Sequence, residues 1–186
     1  MISKNIIINE IREDIKELEQ QHGIKLSNTQ KILLSIGGPC TIILDVLYGD
    51  VNLFILAQRF KKADKDIAEL VNIDEGEEID YREGIVHKNR HPLIYAISYI
   101  PKSAFEDEII EDLLKEEETL GRILHKINTA ITTKVNKISI ERPTSIHKEL
   151  FKTDENLLTR EYVLIQGEKI VIWTKEYYPL SYFREN

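Results

Sequence analysis

Residues 157–179 read LLTREYVLIQGEKIVIWTKEYYP, and this stretch decides the fold. Two runs rich in β-branched and aromatic residues, Leu157–Ile165 and Ile170–Tyr178, flank the polar turn Gln166-Gly167-Glu168-Lys169. That is the pattern of an antiparallel hairpin, and Pro179 ends its second strand. Side chains alternate along a strand. Ile172, Thr174 and Glu176 therefore share one face, and Val171, Trp173 and Lys175 share the other.

Outward from it the same pattern recurs. Glu78 to His87 and Pro92 to Ile100 form a second hairpin around Lys88-Asn89-Arg90-His91, stopped by Pro101. Val51–Phe60 and Ala130–Ile140 supply further strands, and residues 64–71 a short helical segment. Residues 106–115 and 119–127 suit helices, with Thr119 as a cap of the second. Upstream, Ile8, Ile11, Ile15 and Leu18 recur at spacings of 3 and 4, which predicts an amphipathic helix over about 4–21. His22-Gly23 stops it. Asn28 caps a second helix carrying Ile32, Leu33 and Ile36, which ends at Gly37-Gly38-Pro39. The expected class is α+β, an antiparallel sheet with helices packed against it. We see no internal repeat beyond the two hairpins and no dividing linker, so one domain is expected over 1–186, with 1–27 as a helical extension.

Composition narrows the function. Lys and Arg number 25 against 32 Asp and Glu, a net charge of -7 with no basic block, which argues against nucleic acid and anionic membranes. The total does not decide against a small anion, because a buried site feels only nearby cations. The single cysteine, Cys40, excludes an internal disulfide framework. The N-terminus has no signal-peptide pattern and no apolar run approaches a membrane span, so a cytoplasmic protein is expected. There is no G-x-G-x-x-G, Walker loop, H-E-x-x-H or G-x-S-x-G. The histidines at 22, 87, 91, 125 and 147 share no helical face, so neither a metal nor a coenzyme is expected. Cys40 reads either as a nucleophile or as a small buried apolar side chain.

What stands out is charge inside apolar strands: Arg82, Arg160 and Glu176. One reading is a solvated sheet face with weak cross-strand ion pairs. The other is a cavity in which an arginine fork grips a carboxylate and a glutamate handles a proton or hydroxyl.

The sequence resembles the chorismate lyase family over roughly residues 30–182, most closely its archaeal and mycobacterial branch. The matching stretches are Ile32-Leu33-Leu34, Gly38-Pro39-Cys40-Thr41, Tyr81-Arg82-Glu83, His91-Pro92-Leu93-Ile94-Tyr95-Ala96, Tyr99-Ile100-Pro101, Leu120-Gly121-Arg122-Ile123-Leu124, Arg160-Glu161-Tyr162 and Thr174-Lys175-Glu176-Tyr177-Tyr178-Pro179. Their order and spacing together carry it. The resemblance implies about six antiparallel strands, a cavity under helical flaps, and cofactor-free elimination of pyruvate from chorismate to give 4-hydroxybenzoate. It implies that Arg82 holds the ring carboxylate and that Glu176 faces the ring hydroxyl or ether oxygen. Thr41 and Ala96 complete the implied substrate-binding set.

Two departures are visible. Counted from Pro179, Lys175 occupies the family's glutamate position, and a strand bulge would reconcile Glu176 with it. A second family arginine is replaced at Ile97, next to Ala96. Arg160 or Arg122 is expected to neutralise the second carboxylate, with His91 and Lys175 behind them. Each arginine also has a structural alternative, Arg122 as a brace and Arg160 as a cross-strand partner. Two other functions compete with the lyase. One is a non-catalytic sensor of small aromatic acids, since the fold is similar to the effector-binding domain of GntR-type regulators. The other is a scaffold whose first helix docks a partner.

Overall fold

The computed structural model describes residues 4–38, 40–105 and 130–184, with the backbone alone for residues 4–9. The helices expected within 106–127 lie outside the described residues. Six strands, β1 (Asn52–Lys62), β2 (Glu78–Lys88), β3 (His91–Pro101), β4 (Ile131–Glu141), β5 (Leu157–Gln166) and β6 (Lys169–Pro179), form one antiparallel sheet in the order β1-β2-β3-β6-β5-β4. Both expected hairpins are present. Gln166 pairs Lys169 across a two-residue turn with Gly167 at φ +62°, a backbone region open to glycine without a Cβ penalty. Lys88 pairs His91 across Asn89 and Arg90, both at positive φ.

The sheet is built from two copies of one unit. In the first, β1 leads through α4 (Lys65–Val71) to the β2–β3 hairpin; in the second, β4 leads through α5 (Ser145–Phe151) to β5–β6. Even the bulges correspond. Leu56 is the unpaired residue of β1 and Asn136 that of β4; Leu93 is the extra residue of β3 and Val171 that of β6. Matched turn for turn, Arg82 corresponds to Arg160, Glu83 to Glu161, Ser98 to Glu176 and Pro101 to Pro179. The halves join where β3 pairs β6, with Ala96 opposite Glu176 and Ser98 opposite Thr174.

Helices α1 (Lys4–His22), α2 (Asn28–Ser35) and α3 (Thr41–Tyr48) precede the sheet. Ile15 and Leu18 of α1 pack with Ile138 and Ile140 of β4, so this face of the first helix is covered by its own sheet. The cap of α2 is Ser27 and not Asn28: Ser27 Oγ accepts from the Gln30 backbone N–H, and the Gln30 side chain returns a bond to the Ser27 N–H. Gln30 Nε2 also donates to the carbonyls of Leu180 and Tyr182 at 2.9 Å each, clasping the end of the chain. Leu33, Leu34 and Leu44, all fully buried, press α2 and α3 onto Val86, Ile94, Leu158 and Tyr178. The opposite face is covered in two places. Val71 of α4 packs near Val163 and Trp173, and Phe151 of α5 packs near Ile85, Tyr95 and Leu157. No helix among the described residues is long and apolar enough to cross a membrane.

Candidate functional site

Register places the chemistry. On the face beneath α2 and α3, two rows of side chains cross β2, β3, β6 and β5. One row runs Gly84, Ala96, Glu176, Arg160; the next runs Arg82, Ser98, Thr174, Tyr162. The middle of both rows is small, and a cavity of about 50 Å³ opens above it. Arg82, Gly84, Ala96, Ser98, Thr174 and Glu176 line its floor, with Thr41 of α3 above. A Cβ at Gly84 would stand 3.0 Å from Leu53 Cδ1, so β1 packs closely over this corner.

Glu176 is only 5% exposed and is held from three sides. Arg160 Nη2 and the Cys40 thiol donate to Oε2 at 2.9 and 3.1 Å, and the Tyr162 hydroxyl donates to Oε1 at 3.1 Å. A carboxylate offers about four acceptor sites. Three are taken, and the fourth, on Oε1, belongs to a side chain that lines the cavity. Burial pushes the Cys40 thiol well up from its ordinary value, in keeping with a neutral thiol that donates to Glu176. Burial likewise raises Tyr162, with Glu176 adding to the effect.

Arg160 is fully buried and does not line the cavity. Besides Glu176 it donates to the carbonyls of Ile36 and Gly38, at 2.9 Å each, in the turn between α2 and α3. Its guanidinium lies 4.3 Å from the centre of the Tyr162 ring. It is thus a cross-strand partner that also ties down the cavity's cover. Arg82 is 4% exposed and faces the cavity. Asp80, two residues before it on the same face, accepts from Gln58 at 2.7 Å. Burial raises the Asp80 carboxyl, against the pull of Gln58 and Arg82.

Of the expected site residues, Arg82, Glu176, Thr41 and Ala96 come together at the cavity. Arg122 lies outside the described residues. Ile97 pairs Glu83 and Lys175 and so faces the other side of the sheet, where an arginine at this position would not reach the cavity. Lys175 also points there, binding Glu141 at 2.8 Å and Glu161 at 3.0 Å. His91 stacks on Tyr182 beside the β2–β3 turn. The β6 bulge is at Val171, between the turn and Glu176, while the pairing from Leu157↔Pro179 to Arg160↔Glu176 is regular. The sequence reading missed Cys40 as a partner of Glu176, Tyr162, and the Ser98–Thr174 pair, whose hydroxyls lie 2.9 Å apart. Parity with Glu176 was the available signal for Thr174. No group of three or more His, Cys, Asp or Glu among the described residues is placed to hold a metal.

Comparison with known proteins adds a family and a fold. A family model described as chorismate pyruvate-lyase, Rv2949c-like, matches residues 33–184. "Putative lyase MJ0807" of Methanocaldococcus jannaschii is 30% identical over 154 residues, covering 79% of this chain and 76% of that protein. Among solved structures, a GntR-family transcriptional regulator from Bacillus cereus aligns with TM-score 0.60 at 18% identity, over 73% of this chain and 96% of the other. The effector domain of PhnF from Mycobacterium smegmatis aligns with TM-score 0.64 at 13% identity, over 76% and 88%. At such identities these two likenesses establish the fold alone.

Proposed function

This chain belongs to the Rv2949c-like chorismate pyruvate-lyase family, and on that footing we propose that it eliminates pyruvate from chorismate to leave 4-hydroxybenzoate. One observation carries the reading: an arginine and a glutamate stand at opposite corners of a flat, small-residue floor. Two strand spacings and one two-residue step separate their backbones, roughly 12 Å. With both side chains reaching inward, that span suits a six-membered ring bearing a carboxylate at one end and a hydroxyl at the other. Arg82 grips the ring carboxylate. Glu176 accepts the ring hydroxyl through the open acceptor site of Oε1. Arg160, Tyr162 and Cys40 act through Glu176, fixing its position. Thr41, whose buried Oγ1 has no partner among the described residues, offers the cover's polar contact. The cavity of about 50 Å³ is far below the roughly 300 Å³ of an ordinary ligand pocket. Substrate therefore enters by displacing the cover, as the implied flaps require. Aromatisation drives the reaction, so the protein's task is positioning and proton handling.

The test is incubation with chorismate while following pyruvate and 4-hydroxybenzoate. The native chain should exceed the spontaneous rate, and Arg82→Ala should lose about a hundredfold or more in kcat/KM with its fold intact. Absence of product from the native chain, from neutral to mildly alkaline pH and at elevated temperature, ends the lyase reading. The fold shared with an effector domain supports a second reading, a sensor of aromatic acids. Tight 4-hydroxybenzoate binding without turnover would select it.

A further inference from the structure

The floor of the cavity is chemically two-sided. A line from Arg82 to Glu176 crosses β3 between Ala96 and Ser98. On one side lie Gly84 and Ala96, with no polar side-chain atom. On the other lie Ser98 and Thr174, both 2% exposed. Their two hydroxyls share one hydrogen bond of 2.9 Å, which uses one of two protons. The second proton has no acceptor among the described residues, although the pair lines the cavity. A buried donor left unmet is costly, and an acceptor oxygen of a ligand in the cavity would meet it.

Resting on the lyase reading, we propose that Thr174 is a further catalytic residue, donating a hydrogen bond to the ether oxygen of the departing enolpyruvyl group, and that Ser98 positions it. The ring carboxylate of chorismate is para to its hydroxyl, and the ether sits on the carbon next to the hydroxyl-bearing one. With the carboxylate on Arg82 and the hydroxyl on Glu176, the ether falls beside Glu176, over one flank or the other. Only the Ser98–Thr174 flank has a donor, and Thr174 is the residue two before Glu176 on the same strand. Ser98 donates to Thr174, which leaves the Thr174 proton for the ligand.

The step balances without an added reagent. The ring-carbon to ether-oxygen bond breaks, and its electron pair leaves on oxygen as the enolate of pyruvate. The ring carbon bearing the hydroxyl loses its proton, which makes the ring aromatic. The enolate takes up a proton at carbon and becomes pyruvate. Thr174 meets the charge that grows on the ether oxygen, where a preorganised donor acts most strongly.

The experiment uses the full chain and three variants, Thr174→Val, Thr174→Ser and Ser98→Ala. Thr174→Val should lower kcat by about ten- to a hundredfold. Its affinity for 4-hydroxybenzoate, which has no ether, should stay within about twofold of native. Thr174→Ser, which keeps the donor, should retain most of the rate, and Ser98→Ala should lose a smaller factor than Thr174→Val. Native kcat in Thr174→Val overturns the proposal while the lyase reading stands. So does a serine variant as slow as the valine one, or a rate loss matched by an equal loss of product affinity. A native chain that makes no pyruvate removes the lyase reading and this proposal together, and is seen before any variant is compared.

Discussion

Arg82 and Arg160 occupy the same place in the two halves of the sheet, yet they have opposite surroundings. Across from Arg160 on the neighbouring strand stands Glu176; across from Arg82 stands Ser98. One arginine is therefore consumed by an internal ion pair and two turn carbonyls, while the other presents its charge at the cavity. The two halves differ at one facing position, and that difference separates an ion-paired cation from one that lines the cavity. Their helices differ too: the third residue of α4 is Ile67, and that of α5 is His147.

Breaking the buried pair should have the largest effect. Arg160→Met leaves Glu176 buried beside a neutral side chain, and should cost about 3–5 kcal/mol in urea unfolding. A loss near zero would mean that Glu176 needs no counter-charge. Ser98→Asp places a carboxylate directly across from Arg82, as Glu176 stands across from Arg160. Titration with 4-hydroxybenzoate should show affinity at least about tenfold weaker, a change of about 1.4 kcal/mol; unchanged affinity would separate Arg82 from carboxylate recognition. Tyr162→Phe removes one neutral donor from Glu176 and should cost about 1 kcal/mol. Lys175→Met, which leaves Glu141 and Glu161 without their shared cation, should destabilise by less than Arg160→Met and by less in high salt, because this pair is more exposed. The smallest effect is a pH slope. Burial lowers the His147 pKa from its ordinary 6.5. The unfolded chain therefore takes up this proton first as pH falls. Stability from neutral His147 is full above about 6.5 and declines below it. His147→Ile, the residue of α4, should flatten denaturation midpoints between pH 7 and 5 by at most one proton's worth of slope.

How much of this was legible depended on the type of signal. Both hairpins, the face of Glu176 and the first helix follow from periodicity, and the structure has them. Helix α3 was missed because Thr41–Tyr48 is nearly all apolar: Leu44 is buried while Ile42, Val46 and Leu47 are exposed, so no stripe marks it. Helix α5 turns inward only His147 and Phe151, one of them polar, so it lacks the apolar stripe that Ile67, Ala68 and Val71 give α4. The partner of Arg160 was hidden by one residue. Counted back from the turn, Gln166↔Lys169 and Ile165↔Ile170 put Lys175 opposite Arg160. The bulge at Val171 moves the register by one and brings Glu176 there instead. The misleading gap at Ile97 has the same origin, since a motif position says nothing of facing until register is known.

The bonds from Arg160 to Ile36 and Gly38 join residues 124 and 122 positions apart. On the ribosome this sets a schedule. The first three helices are made early, with Leu33, Leu34 and Leu44 prepared for a surface that Leu158 and Tyr178 complete. At roughly 5–20 residues per second, that surface arrives on the order of ten seconds later. Until then the nascent chain carries an uncovered apolar segment that its own later strands must cover. A chain stalled before its final hairpin would have every helix of the cover and no cavity beneath it.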